Sequence, residues 1–450
     1  MSVVLRGGRI IDRDGERTLD VEVGDDGRIA AVGTGLSGDV ELDASGCVIS
    51  PGFVDLHVHL REPGQEEAET IETGARGGSL GGYTALVAMP NTDPTTDCVA
   101  VVEQVRTLGR RSTCEIIPSA AMTVGRRGTD MAPMGELVDA GVGIFTDDGT
   151  GLQDPRLMRR VMEYSTGLTG RLGRPVVLAQ HCEVTALSTG GFMHEGEWSS
   201  RLGIPGQPAE SEELMVMRDI ALVRLTGAHT HFQHLSTAAS VAMVRGAKAA
   251  GLPVTAEATT HHLTLTDAAC ASYNPVFKVH PPLRTDADVQ AIRDGLADGT
   301  IDAIATDHAP HAPHAKELPF DQAPPGMLGL ETAFALTLGE SGLDLPEVLA
   351  LLSWKPASIA GVADRHGAPI LPGNPANLCV VDPDRSGRSP ARLWPAGVAI
   401  PRTRAATCGV GSATLSAPAN QSWWTARPAG EPSDGHRSRP GPGRRRGFRG

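Results

Sequence analysis

The chain has 450 residues, too many for one small core and enough for a barrel of roughly 250 residues or more with additions. Its apolar share of 40% suits a globular protein; no run reaches the ~18 consecutive apolar residues of a membrane helix, and "MSVVLRGGRI" lacks the basic-then-apolar pattern of a signal peptide. A net charge of -13 argues against nucleic acid as partner, and seven scattered cysteines without a CxxC pair fit reduced thiols in a cytoplasmic protein.

Residues 1–52 alternate apolar and polar residues through "VVLRGGRIID", "DVEVGDDGRIAAVG" and "ELDASGCVIS", broken by Gly and Asp-Gly, which predicts a small β unit. From Pro51 the rhythm changes. "GFVDLHVHL", "YTALVAMPNT", "CEIIPSAAMT", "GVGIFTDDG", "PVVLAQHCE", "HTHFQHLST", "LPVTAEATTHH" and "IDAIATDHAPH" are short apolar strands separated by helix-like stretches. Eight such units predict an α/β fold, a distorted (β/α)8 TIM barrel over residues 53–364. Strand-and-turn style returns in "GAPILPGNPANLCVVDP", so residues 365–384 are expected to join residues 1–52 in one β subdomain. Residues 385–450 hold twelve arginines against Glu431 and Asp434 and show no periodicity. That stretch is expected to be a disordered basic tail, or the product of a shifted reading frame, leaving the β subdomain without closing strands.

The chemistry gathers at one end of the predicted strands. His57, His59, Asn91, Asp147, Asp148, His181, His234, Asp307 and His308 all fall at C-terminal strand ends, which in a parallel barrel form a single rim. His57 and His59, two apart, face one way on a strand and can act as a metal claw. Four imidazoles with carboxylates suit zinc or a similar borderline metal. No lysine precedes Lys248, so a bridging carboxylate would have to come from Asp147 or Asp148 of "TDDG". Asp307 is placed to move protons. Arg61 can hold a carboxylate bidentately, with Asn91 and His311 beside it. These features suggest attack on a carbonyl that neighbours a carboxylate. His231 lies an odd offset before His234 and reads as structural; His229 shares that reading. His261 and His262 read as supports for the ligands, and His194 and His366 as loop residues without a role.

Together "PGFVDLHVHLREPG", "AMPNTDP", "FTDDG", "QHCE", "QHLST", "PPLR" and "ATDHAPH" resemble the dihydroorotases of the long bacterial type, in the amidohydrolase superfamily. The resemblance runs from about residue 3 to residue 384. It implies reversible hydrolysis of dihydroorotate to N-carbamoyl-L-aspartate by a metal-bound hydroxide, the third step of pyrimidine synthesis. It implies two Zn2+ per subunit, one on His57, His59 and Asp307, the other on His181 and His234, with Asp148 between them. It gives the substrate carboxylate to Arg61, Asn91 and His311, and pocket closure to the backbone around Pro325 and Gly326. A homodimer and association with aspartate transcarbamoylase are the macromolecular partners that the resemblance allows; neither nucleic acid nor membrane is among them.

Two departures stand out. His280 precedes "PPLR" where the family usually has a substrate-contacting Asn, and Pro325 stands where an aromatic residue is usual. The rival readings are a dihydropyrimidinase or allantoinase, which usually bridge their metals with a carbamylated lysine, and a non-catalytic dihydroorotase-like partner of aspartate transcarbamoylase, which typically loses metal ligands. "TDDG", the missing early lysine and the complete ligand set speak against both.

Overall fold

Strands in the first fifty residues keep one face on a core and one toward water, which is why their sequence alternates. The computed structural model describes residues 1–384 and the strand 408–410. It forms strands β1 (Val3–Arg6), β2 (Arg9–Asp12), β3 (Gly15–Thr18), β4 (Asp20–Val23), β5 (Ile29–Gly33), β6 (Val40–Asp43) and β7 (Val48–Pro51) before the barrel begins. One sheet runs β5-β4-β1-β6. Leu5, Ile10, Val21, Ile49, Leu378 and Val380 fill one core in this region.

The barrel strands read as continuous apolar runs because both of their faces are buried. They are β8 (Phe53–Val58), β9 (Tyr83–Ala88), β10 (Glu115–Pro118), β11 (Ile144–Phe145) and β12 (Val177–Gln180). A two-strand excursion follows, β13 (Met193–His194) with β14 (Gly206–Gln207), then β15 (Thr230–Phe232), β16 (Val254–Thr259) and β17 (Ala303–Ala305). Parallel ladders join β8 through β10 and β11 through β17 in barrel order. Single parallel bridges, Ala120 to Phe145 and Val58 to His308, close the two gaps. The eight expected strands therefore form one ring, with their C-terminal ends on one rim. Helices cover it, among them 71–81, capped by Thr70 and ended by Gly82, and 155–172, capped by Asp154 with Pro155 in its first turn.

After the barrel the chain returns as β18 (Leu378–Val381), antiparallel to β7, in the sheet β19-β18-β7-β2-β3. Its last member, β19 (Cys408–Val410), lies within the basic segment and pairs antiparallel with β18. This strand was not foreseen from the sequence. Three residues are too few to show a period, and ladder pairing uses the backbone rather than a side-chain pattern. Residues 385–407 and 411–450, and the expectation of disorder or a shifted frame made for them, lie outside the described residues.

His366 also departs from expectation. It is buried, and its Nε2 donates to Glu115 Oε2 at 2.7 Å while its Nδ1 lies 3.0 Å from the Thr84 hydroxyl. Arg365 donates to the same carboxylate, with Nη2 to Oε1 at 2.7 Å. The post-barrel segment is thus tied to strand β10. Burial works against a charge on Glu115, but His366 and Arg365 overrule it and bring the carboxyl down from 4.5 to about 2. A depressed folded-state pKa gives stability that is present above the ordinary carboxyl value and lost as pH falls toward the folded one. Because Glu115 is partly exposed and solvent screens the pair, Glu115→Gln should cost about 1 kcal/mol at about pH 7. Thermal melts should show the gap from the parent closing between about pH 4.5 and about pH 2.

Candidate metal centre and substrate pocket

Three rim residues hold left-handed backbone without being glycine: Arg61 (φ 61°), His234 (φ 31°) and Asp307 (φ 45°). Each follows the end of its strand, where such a turn swings a side chain into the barrel mouth at a conformational cost that the packed surroundings must carry.

These turns and the strand ends bring six side chains together. Asp148 lies in the middle. Its Oδ1 is 3.2 Å from His57 Nε2, 3.5 Å from His181 Nδ1 and 3.9 Å from His234 Nε2, and its Oδ2 is 3.6 Å from His59 Nε2. Asp307 Oδ1 lies 3.0 Å from His59 Nε2 and 3.6 Å from His57 Nε2. His181 Nδ1 and His234 Nε2 are 2.9 Å apart. All six are buried. Asp147, the other acid of "TDDG", turns away and accepts from the backbone N–H groups of Met122 and Thr123 and from the Thr123 hydroxyl.

The donors fit a metal on two grounds. His57 Nε2 is fully buried and has no hydrogen-bond partner, although it faces the Asp148 carboxylate. It belongs to two overlapping groups, His57, His59 and Asp307, and His57, Asp148 and His234, within each of which the donor atoms lie inside 4.8 Å of one another. Charge tells the same story. Burial disfavours ionisation of Asp148 and Asp307, yet the surrounding imidazoles hold both below the ordinary carboxyl range. Burial likewise opposes charge on His57 and His181, yet the carboxylates raise His57 well above its ordinary value and His181 to about 9. A site that pulls protons onto buried imidazoles is short of positive charge, which a divalent cation would supply.

A further ring of side chains orients the cluster. Glu257 accepts from His57 Nδ1 at 2.9 Å with one oxygen and from His231 Nε2 at 3.0 Å with the other. His59 Nδ1 donates to Asn91 Oδ1 at 2.9 Å, and Asn91 Nδ2 donates to Asp148 Oδ2 at 3.2 Å. Glu183 accepts from His181 Nε2 at 3.1 Å and also contacts His280 Nε2. His280 stacks on His181 with centroids 5.1 Å apart and planes at 6°. Arg61 Nε donates to the Pro310 carbonyl at 3.0 Å, and its Nη2 lies 3.5 Å from His311 Nε2. His311 in turn donates to the Pro325 carbonyl at 2.7 Å. Gly326 (φ 146°) must be glycine: a Cβ there would lie 2.5 Å from the Ala309 carbonyl oxygen and 2.9 Å from His311 Nε2.

The sequence reading missed Glu257 and Glu183. A lone acid inside the apolar strand "VTAEAT" was the available signal for Glu257, and Glu183 sat unused in "QHCE". His231 remains structural, but through a contact that alternation did not show: β15 ends at Phe232, so side-chain parity does not carry on to His234. His261 Nε2 is buried without a partner and its pKa is lowered to about 4 by burial, whereas His262 donates to the Pro281 carbonyl. His194, read as an idle loop residue, is buried against Arg284 Nη1 at 3.1 Å.

A family model described as dihydro-orotase-like matches residues 46–240. A dihydroorotase of Streptomyces coelicolor is 46% identical over 88% of this chain and 91% of its own. One of Mycobacterium tuberculosis is 47% identical over 85% and 89%. The chain belongs to the dihydroorotase family. Among solved structures, L-hydantoinase (dihydropyrimidinase) from Arthrobacter aurescens matches with a TM-score of 0.76 at 22% identity, over 91% of this chain and 93% of that one. A D-hydantoinase gives the same TM-score at 19% identity. These two show the fold, the barrel with its β subdomain.

Within this dihydroorotase-family site, Glu257 fixes the tautomer of His57 by accepting a hydrogen bond from its Nδ1–H, which leaves Nε2 free to face a metal. Glu257→Gln should therefore lower metal affinity about tenfold to a hundredfold in a chelator competition assay. Affinity equal to the parent's would mean that His57 is held by packing alone.

Proposed function

We propose that this chain is a dihydroorotase with two zinc ions per subunit, hydrolysing dihydroorotate reversibly to N-carbamoyl-L-aspartate in pyrimidine synthesis. The observation that carries the reading is the position of Asp148, one carboxylate facing all four rim histidines. His57, His59 and Asp307 would hold one ion, His181 and His234 the other, and Asp148 both. When bound, the metals supply a water of lowered pKa and polarise the carbonyl that is attacked.

The remaining steps belong to this chain's own groups. Asp307, next to His59 and His57, takes the proton of the attacking water and returns it to the departing ring nitrogen. Arg61 meets the substrate carboxylate with its guanidinium edge, and His311 stands beside it. Asn91 has one amide proton on Asp148 and a second to offer the same carboxylate. His280, paired with Glu183, takes the place of the family's Asn at the pocket wall. The Pro325–Gly326 backbone closes the pocket over His311.

The hydantoinase likeness does not redirect the reading, because no lysine precedes Lys248 and Asp148 offers a carboxylate among the rim histidines in its stead. Cys98, Cys114, Cys182, Cys270 and Cys379, free thiols among the described residues, support a reducing, cytoplasmic setting. Homodimer formation and association with aspartate transcarbamoylase rest on the family alone, and light scattering of the chain with and without that enzyme would read both.

Purified protein loaded with zinc should hydrolyse dihydroorotate without added bicarbonate, since the bridge is a carboxylate. Asp307→Asn should lower kcat by about 10²–10⁴-fold while KM changes little. No turnover by the parent protein, or an Asp307→Asn variant with parental kcat, would refute the assignment.

A further inference from the structure

Lysine occurs only four times among forty basic residues, and two of the four meet at one loop beside the substrate pocket. Lys278 is buried, its ammonium 4.5 Å from the centre of the Phe192 ring and 5.9 Å from that of Phe320, and it donates to the Asp321 carbonyl at 3.1 Å. Lys316 Nζ donates to the Pro324 carbonyl at 2.9 Å and to the Lys278 carbonyl at 3.5 Å. That Lys278 carbonyl also accepts the Gly326 N–H at 2.8 Å. Pro324, Pro325 and Gly326 are thus gripped on both sides, and Pro325 passes the constraint to His311 and so to Arg61.

Neither ammonium forms an ion pair with a carboxylate among the described residues. Carbonyl oxygens and ring faces hold them instead. An ammonium suits this task because it is compact and can aim three N–H groups at converging carbonyls, which a planar guanidinium cannot. In a chain that uses arginine almost everywhere else, lysine at both positions is a choice that this geometry explains.

We propose that Lys316 is a positioning residue for substrate binding, anchored by Lys278: its ammonium holds Pro324–Gly326 where His311 and Arg61 can meet the substrate carboxylate. The inference rests on the dihydroorotase reading for its substrate, and on the loop contacts for its mechanism. The groups facing Lys316 are Lys278 and His311. Burial, and then the charge of Lys278, bring Lys316 down to about 8, while burial and Arg61 bring His311 down to about 4. Near neutral pH Lys316 is therefore the charged partner and His311 the neutral one. Above about pH 8 the ammonium loses its proton and the grip slackens.

The test compares the zinc-loaded parent, Lys316→Met and Lys316→Arg across about pH 6.5–9.5, with dihydroorotate as substrate. In the parent, KM should rise above about pH 8 while kcat holds. Lys316→Met should show a KM raised about tenfold already near neutral pH and flat across that range, with kcat within about threefold. Lys316→Arg, whose charge survives high pH, should keep a KM below that of Lys316→Met up to about pH 9.5. Limited proteolysis across residues 311–328 reads the grip without turnover, and Lys316→Met should be cut about tenfold faster than the parent at equal metal content. A parental KM and cleavage rate in Lys316→Met would overturn the inference and leave the dihydroorotase reading intact. An inactive parent with fast cleavage of Lys316→Met would sink the substrate reading and keep the loop device.

Discussion

Negative charge buried at the mouth of the barrel is the constraint on which the rest of the structure depends. Asp148, Asp307 and Glu257 stand buried in or against one cluster of imidazoles, with the half-buried Glu183 at its edge. Carboxylates in such a place cost several kcal/mol each unless cations answer them. His57 and His181 answer in part, by rising toward the protonated state. A divalent metal would answer the rest, and His57, His59 and His181 could then be neutral ligands with their second nitrogens held by Glu257, Asn91 and Glu183. The buried carboxylates, the orientation of the imidazoles and the family's chemistry all fit a metal at this place.

The same constraint explains why conformational strain gathers at the rim. Arg61, His234 and Asp307 each adopt left-handed backbone two or three residues past the end of a strand. A regular strand would send its side chains alternately in and out, and could not place Asp307 against His59 while also turning the chain away from the barrel. The price is of order 1–3 kcal/mol per residue, carried by a barrel in which strands such as β8, β9 and β12 are buried throughout.

What could be read from the sequence follows from this physics. Parallel strands buried on both faces leave short apolar runs, and polar residues inside those runs have no structural reason to be there, so the eight strands and the polar residues of the rim were visible as interruptions of an apolar pattern, whereas the choice of Asp148 over Asp147 came from the family resemblance alone. The supports were harder to see. Glu257 sits mid-strand, and its partners His57 and His231 are distant in sequence, so only the closed ring brings them together. His366 and His194 read as loop residues because burial in loops comes from tertiary contacts, here Glu115 and Arg284, and leaves no period. The pair Lys278 and Lys316 showed as scarcity alone; that they grip one loop needed the carbonyl geometry. Strand β19 was invisible because three backbone-paired residues carry no pattern.

The central claim is that Asp148 joins two metal ions. A crystal structure of the zinc-loaded protein, with anomalous scattering at the zinc edge, tests it most directly. The account predicts two peaks about 3.5–4 Å apart, with one oxygen of Asp148 on each ion. A single peak, or two peaks joined by any other residue, would contradict it.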